Sequence, residues 1–204
     1  MSSINSPTYE DLGSIAQRDR RKRILDATIA LASGGGFDAV QMRAVAEGAD
    51  VALGTLYRYF PSKIHLLVSA LAREFEQAQS NFDHKPIPGD TAPDRVMYVL
   101  GRTTRSLQRD PNLTEALTRA FVFADASVAN EIHVVGMHVV RMLMRAMRDP
   151  GATSDDIEPN EKEIAIARVI GDVWLAGLVQ WVTGRASAVD VSKSMDVAVR
   201  LLLR

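Results

Sequence analysis

The segment from Ala52 to Lys63 concentrates side chains that could recognise DNA. Leu53, Leu56 and Phe60 recur at helical spacing, so one face of a short helix can be buried. The hydroxyl, aromatic and guanidinium groups fall largely off that face and are free to contact another molecule. Such groups suit the base edges and phosphates of a duplex. The segment therefore predicts a short DNA-reading helix.

Lys63 lies just after a helix stop and opens the next helix. Pro61 disfavours the α conformation at Phe60, and Ser62 can cap the new helix. A cation in a first turn is unfavourable, because the N-terminus of a helix carries a partial positive charge. A phosphate bound at this end would resolve the conflict. The position of Lys63 therefore predicts a phosphate contact.

A second basic cluster is the run from Arg18 to Arg23. The formal net charge of the chain is only −1, yet residues 14–65 hold eight Lys and Arg against five Asp and Glu, an excess of three. A solvated helix face is one interpretation of the run, and contact with phosphates or the minor groove is the other. Its place beside the DNA-reading segment favours contact with DNA.

Three predicted helices position these groups. The first ends at Gly34-Gly35-Gly36, the second spans Met42 to Glu47, and the third follows a turn over residues 48–51. Two short helices joined by a small turn, after a longer helix, form a helix-turn-helix. We expect this DNA-binding domain over residues 17–65. Residues 1–16 are expected to be a disordered tail.

The rest of the chain, residues 66–204, predicts helices alone, so the expected fold class is all-α with a C-terminal helical ligand-binding and dimerisation domain. Residues 164–182 and 188–203 are apolar on more than one side. They need cover from their own domain and from a partner subunit, which predicts a homodimer. Arg168, Asp172 and Gln180 interrupt the first of these stretches, which argues against a membrane span.

Composition limits the remaining function classes. Hydrophobic residues make up 47% and charged residues 24% of 204 residues, as in ordinary globular proteins. Cysteine is absent and no signal peptide is recognisable, so we expect a cytoplasmic protein without disulfides. The four histidines form no His-Glu-x-x-His motif, and no P-loop or Gly-x-Ser-x-Gly occurs. We therefore expect no enzyme, no metal and no cofactor.

The motif from Arg43 to Ala46, together with Val51 and the run from Gly54 to Lys63, resembles the DNA-binding domain of TetR-family repressors. The resemblance implies that residues 52–59 form the recognition helix. It also implies double-stranded operator DNA as the partner. The operator contacts that it implies are Arg43, Thr55, Tyr57, Tyr59 and Lys63.

Four positions in this motif need separate interpretation. Asp50 replaces a frequent Gly, but Asp tolerates the left-handed conformation. Ala52 replaces a frequent Ser and cannot cap the recognition helix, which costs about 1 kcal/mol. Leu53 either touches a thymine methyl group or completes the core. Tyr57 either contacts DNA or packs against the apolar seam.

The C-terminal half resembles the sterol-catabolism repressors within this family, through residues 113–127, 167–175 and 185–193. That resemblance implies repression of cholesterol-degradation genes and release by the CoA thioester of a sterol acid. Apolar and methionine side chains could enclose the sterol. The candidates for this pocket are Leu100, Leu107, Leu117, Phe121, Met137, Met142 and Trp174.

An anionic CoA group also needs cations at the pocket mouth. A stripe formed by Arg95, Arg102, Arg105 and Arg109 is either solvated or, at its last three members, the phosphate site. The methionines are either core or ligand contacts. Alternative inducers are a different apolar ligand or a fatty acyl-CoA. A protein-interaction module and a helical enzyme are the alternative functions. The DNA-reading segment with Lys63 disfavours the first, and only a catalytic site within the helical bundle would support the second.

Overall fold

A computed structural model describes residues 9–83, 85–148 and 160–204, with side chains from residue 15 onwards. All regular secondary structure in these ranges is helical. The helices are α1 (Tyr9–Ala39), α2 (Met42–Gly48), α3 (Leu53–Tyr59), α4 (Lys63–Asp83), α5 (Ala92–Gln108), α6 (Pro111–Val122), α7 (Ala129–Met147), α8 (Glu161–Val182) and α9 (Ala188–Leu202), with a 3₁₀ turn at Ala126–Val128.

Helix α1 begins earlier than the sequence predicts. Its first residue is Tyr9, so the expectation of a disordered tail is wrong for residues 9–16, and residues 1–8 lie outside the described ranges. No apolar period marks this extension, and its Ile15 is exposed, because the helix grows outward from the packed part of α1. The predicted break is confirmed, since Gly35 and Gly36 have non-helical dihedral angles inside α1.

The first three helices share one core. Ile24, Val45, Leu56 and Phe60 are buried there. The turn between α2 and α3 has Asp50 at φ 51°, the left-handed conformation that the sequence predicts. Ala52 is the N-cap residue of α3 and forms no side-chain capping hydrogen bond, also as predicted.

Helices α4 to α9 form the C-terminal domain. Helix α4 packs against α6 and α7, α5 packs against α7 and α9, and α8 packs against α7 and α9. Leu66, Leu117, Leu143 and Ile170 are among the buried residues of this core. Within the described ranges α8 alone is long and apolar enough, by length and composition, to cross a membrane.

Arg95 does not belong to an exposed arginine stripe. Its side chain is 7% exposed. The guanidinium donates hydrogen bonds to Gly89 O (3.3 Å), Ala146 O (3.0 Å) and Arg148 O (2.9 Å). Arg95 therefore satisfies carbonyl groups at the end of α7, which a helix leaves without intrahelical partners, and ties them to the Gly89 segment before α5.

Helix α6 joins the two domains through its contact with the kinked end of α1. The Phe37 N–H donates to Glu115 Oε2 at 2.8 Å, and Asn112 Nδ2 donates to Ser33 O at 3.1 Å. Gly36 permits this approach: its φ is +69°, and a Cβ placed on it would lie 2.8 Å from Glu115 Oε2. The Gly-rich break thus serves as the docking point of α6.

Candidate DNA interface and ligand cavity

Burial divides helix α3 into two faces. Leu56 and Phe60 are buried and fix the helix on α1 and α2. Tyr57 is 46% exposed and Leu53 is 37% exposed, so the structure contradicts the alternatives that assigned them to the core. Tyr59 is half-buried and packs against the core. The exposed part of α3 therefore combines apolar and aromatic side chains with the exposed Arg58, a surface suited to base edges, thymine methyl groups and phosphates.

The other predicted DNA contacts lie around this face. Arg43 is exposed on α2, and Thr55 is half-buried on α3. The basic run of α1 is divided among different tasks. Arg23 donates to Ala49 O at 3.0 Å and thereby fixes the turn before α3, while the Arg21 guanidinium lies 5.1 Å from the Phe60 ring centroid. Arg18 is exposed.

Lys63 opens α4 but turns toward the junction between the domains. Its Nζ lies 3.9 Å from the centroid of the Phe37 ring, and the Arg119 guanidinium lies 4.4 Å from the same centroid. Burial lowers the pKa of Lys63, while the Asp38 carboxylate raises it. In this conformation the ammonium contacts Phe37, so a phosphate contact requires the long side chain to swing outward.

An apolar cavity of about 160 Å³ lies between α4, α6, α7 and α8. Four of the predicted ligand residues line it: Leu107, Leu117, Phe121 and Trp174. The indole of Trp174 is held from two sides, since Nε1 donates to Thr104 Oγ1 at 2.9 Å and the ring meets Phe75 edge-on at 5.9 Å between centroids.

Three predicted pocket residues are not in this lining. Leu100 lies in a groove between α5 and α9, two turns before Leu107. Met142 is buried in the core two turns beyond Val135, which does line the cavity. Met137 is half-buried on α7, two residues after Val135, and points away from the cavity wall. Helical spacing identified two helices that do line the cavity, α5 and α7. It did not identify which turn and which face of each helix reaches the cavity.

A second, polar cavity of about 460 Å³ lies between α4 and α5. Arg102, Arg105 and Arg109 all line it, so the structure brings the predicted cation site together. Arg102 Nη1 donates to the Tyr98 hydroxyl at 3.3 Å, and its guanidinium lies 5.8 Å from the Phe82 ring centroid. These cations form an exposed rim rather than a buried cluster.

The two cavities adjoin. Leu71, Phe75 and Leu107 line both of them, so the apolar chamber lies directly beside a chamber rimmed by arginines. Such an arrangement can bind a molecule with an apolar body and an anionic head group.

Several lining residues were missed from the sequence, among them three charged ones: Arg168 and Asp172 in the apolar cavity and Glu74 in the polar one. Glu74 lies on α4. It is half-buried, and burial raises the pKa of its carboxyl group. A signal for it existed, because Glu74 follows the buried Leu71 by three residues and so continues an apolar helix face.

Two family models match the chain. Residues 24–70 match the model of "Bacterial regulatory proteins, tetR family", and residues 89–202 match that of the "Tetracyclin repressor-like, C-terminal domain". The chain is 57% identical over 203 residues to the "HTH-type transcriptional repressor KstR" of Mycolicibacterium smegmatis, covering 100% of this chain and 96% of that protein.

Solved structures agree with these matches. A TetR transcriptional regulator from Rhodococcus sp. RHA1 is 31% identical with a TM-score of 0.82, covering 92% of this chain and 97% of that one. FadR of Bacillus subtilis, solved in complex with stearoyl-CoA, has the same fold at 20% identity and a TM-score of 0.63, with 89% and 97% covered. The chain therefore belongs to the TetR family of DNA-binding transcriptional repressors, which is not a family of enzymes.

Proposed function

We propose that this protein is a dimeric repressor of sterol-catabolism genes that leaves its operator when it binds a sterol-acid CoA thioester. The observation that carries this proposal is the apolar cavity that adjoins an arginine-rimmed one. The sterol assignment rests on the sequence resemblance and on 57% identity to KstR. The FadR complex with stearoyl-CoA supports an acyl-CoA as the chemical class of inducer.

Operator binding would use the exposed face of α3. Tyr57 and Thr55 are the proposed base-reading residues, whereas Arg43, Tyr59 and Lys63 are proposed to position the helix on the duplex. In a dimer with two such helices, the half-sites on one face of the DNA lie about 34–36 Å apart, or a multiple of this distance.

Dimerisation would use the outer faces of α8 and α9. Val169, Val189, Val197 and Leu201 are exposed, although large apolar side chains on neighbouring helices are normally covered. A second copy of the chain provides this cover. Trp174 is not part of this surface, because it is buried beside the ligand cavity.

The ligand would release the operator through α6, because one face of this helix lines the cavity and another face contacts the DNA-binding domain. Thr114, Leu117 and Phe121 line the apolar cavity, while Glu115 and Arg119 hold the end of α1 and the region of Lys63. A ligand that displaces α6 also displaces the helix-turn-helix, because the Glu115 carboxylate on α6 accepts a hydrogen bond from the backbone N–H of Phe37 at the end of α1. Reversing a 99:1 population to 1:99 requires about a 10⁴-fold preference of the ligand for the released state.

The test is a DNA-release titration with cholestenoyl-CoA, cholestenoic acid and CoA alone. We expect the thioester to release the operator at the lowest concentration and CoA alone to have no effect. Equal potency of acid and thioester would remove the arginines from the proposed site. Release by oleoyl-CoA but by no sterol would establish the fatty acyl-CoA alternative.

A further inference from the structure

Glu74 lies where the two cavities meet. It follows Leu71 by one helical turn and is the direct neighbour of Phe75, and both of these residues line both cavities. Glu74 itself lines only the polar cavity. Its carboxyl group is therefore within the polar cavity that a ligand would enter after its apolar body fills the first cavity.

This carboxyl group has no partner within the part of the chain that the structure describes. It forms no hydrogen bond and no ion pair there. Burial is the main influence on the pKa of the Glu74 carboxyl group and raises it. The charge of Arg73 lowers this pKa, and the charge of Asp110 raises it. The three arginines of the polar cavity are not within ion-pair distance of Glu74. The polar cavity thus holds an unpaired carboxyl group beside the residues that it shares with the apolar cavity.

We propose that Glu74 is a specificity-determining residue that makes the site accept a neutral acyl group and reject a free carboxylate. This inference rests on the proposed binding of an apolar acyl ligand. A free acid would bring a second carboxylate against Glu74, and two like charges in one site cannot both remain ionised at low cost. The carbonyl group of a thioester or ester carries no charge and so avoids this repulsion.

A methyl ester separates this effect from the contribution of the arginines. The CoA thioester differs from the acid in two ways, because it loses the carboxylate and gains phosphates that the arginine rim can bind. The methyl ester of the same acid loses only the carboxylate. The change that Glu74→Gln makes in the ratio of acid to methyl-ester affinity therefore reports on Glu74.

The experiment measures ligand affinity directly on the full-length protein without DNA, through quenching of Trp174 in the apolar cavity. The probes are cholestenoic acid and its methyl ester, with oleic acid and methyl oleate as a second pair. Glu74→Gln keeps the side-chain volume and removes the charge. Glu76→Gln is the matched control, since Glu76 is exposed on the same helix and lines neither cavity.

The wild-type protein should bind the ester about tenfold more tightly than the acid, the effect of one unit of pKa on the second carboxyl group. Glu74→Gln should abolish this preference, and Glu76→Gln should retain it. An unchanged ratio in Glu74→Gln, or a wild-type protein that binds the acid as tightly as the ester, would overturn the role of Glu74 and leave the repressor proposal intact. If no probe of either pair binds, the proposed apolar ligand and the role of Glu74 fail together.

Discussion

Replacement of Glu115 by alanine should uncouple the ligand cavity from the helix-turn-helix. The carboxylate accepts the Phe37 N–H at 2.8 Å and lies 3.6 Å from the Arg119 guanidinium. It does not line the cavity, so ligand affinity in the absence of DNA should be unchanged. What the variant loses is the rigid link that carries a displacement of α6 to the end of α1.

The coupling free energy that Glu115→Ala should lose follows from these two contacts. A hydrogen bond to a charged group contributes about 1.5–3 kcal/mol, and an exposed ion pair about 0–1 kcal/mol. Full reversal of operator occupancy needs a coupling free energy of about 5.5 kcal/mol. Removing about 2 kcal/mol of that coupling lowers the ratio of ligand affinities with and without operator by about thirtyfold.

The assay determines the dissociation constant of cholestenoyl-CoA with and without operator DNA, because the ratio of the two constants is the coupling itself. Asp38→Asn is the matched control. It removes the charge of the 3.5 Å ion pair with Arg119 and leaves the Glu115–Phe37 hydrogen bond in place, so its ratio should fall by less than about fivefold. A Glu115→Ala protein with the wild-type ratio would refute transmission through this contact.

Three further variants test other parts of the structure. Lys63→Ala should weaken binding to all DNA sequences alike and reduce the salt slope by about one, whereas the loss in Tyr57→Ala should depend on the operator sequence, as measured by salt-dependent binding titrations. Leu201→Asp places a charge on the exposed apolar face of α9 and should yield monomers by light scattering; an unchanged dimer would place the interface elsewhere. Arg95→Met removes the donor to two carbonyl groups at the end of α7 and to Gly89 O, and should lower the free energy of unfolding by about 3 kcal/mol in urea.

The helix-turn-helix was predictable because its determinants are local. Gly36, Asp50 and Pro61 mark the ends of elements through their own backbone preferences, and the structure places breaks at each of them. The orientation of Lys63 was not predictable in the same way. It depends on Phe37, which is distant in sequence and approaches only when α1 and α4 pack together.

The ligand cavity was predictable only in part, because a cavity depends on where helices cross as well as on which faces are apolar. Leu100 and Leu107 lie two turns apart on α5, so their helical spacing treats them alike. Only Leu107 lines the cavity next to α6, whereas Leu100 lies in the groove beside α9. The burial of Arg95 depends on the end of α7, about fifty residues later in the chain. Periodicity contains no information on either contact.

The two faces of α6 have a consequence for how such regulators diversify. Thr114, Thr118 and Phe121 shape the chamber, while the docking contacts with α1 come from Asn112 and Glu115. Because the two sets interleave on one rigid helix without sharing a residue, substitutions in the chamber leave the docking contacts intact. A new effector can thus be acquired without altering the operator, which makes the chamber face of α6 the natural starting point for engineering biosensors from this scaffold.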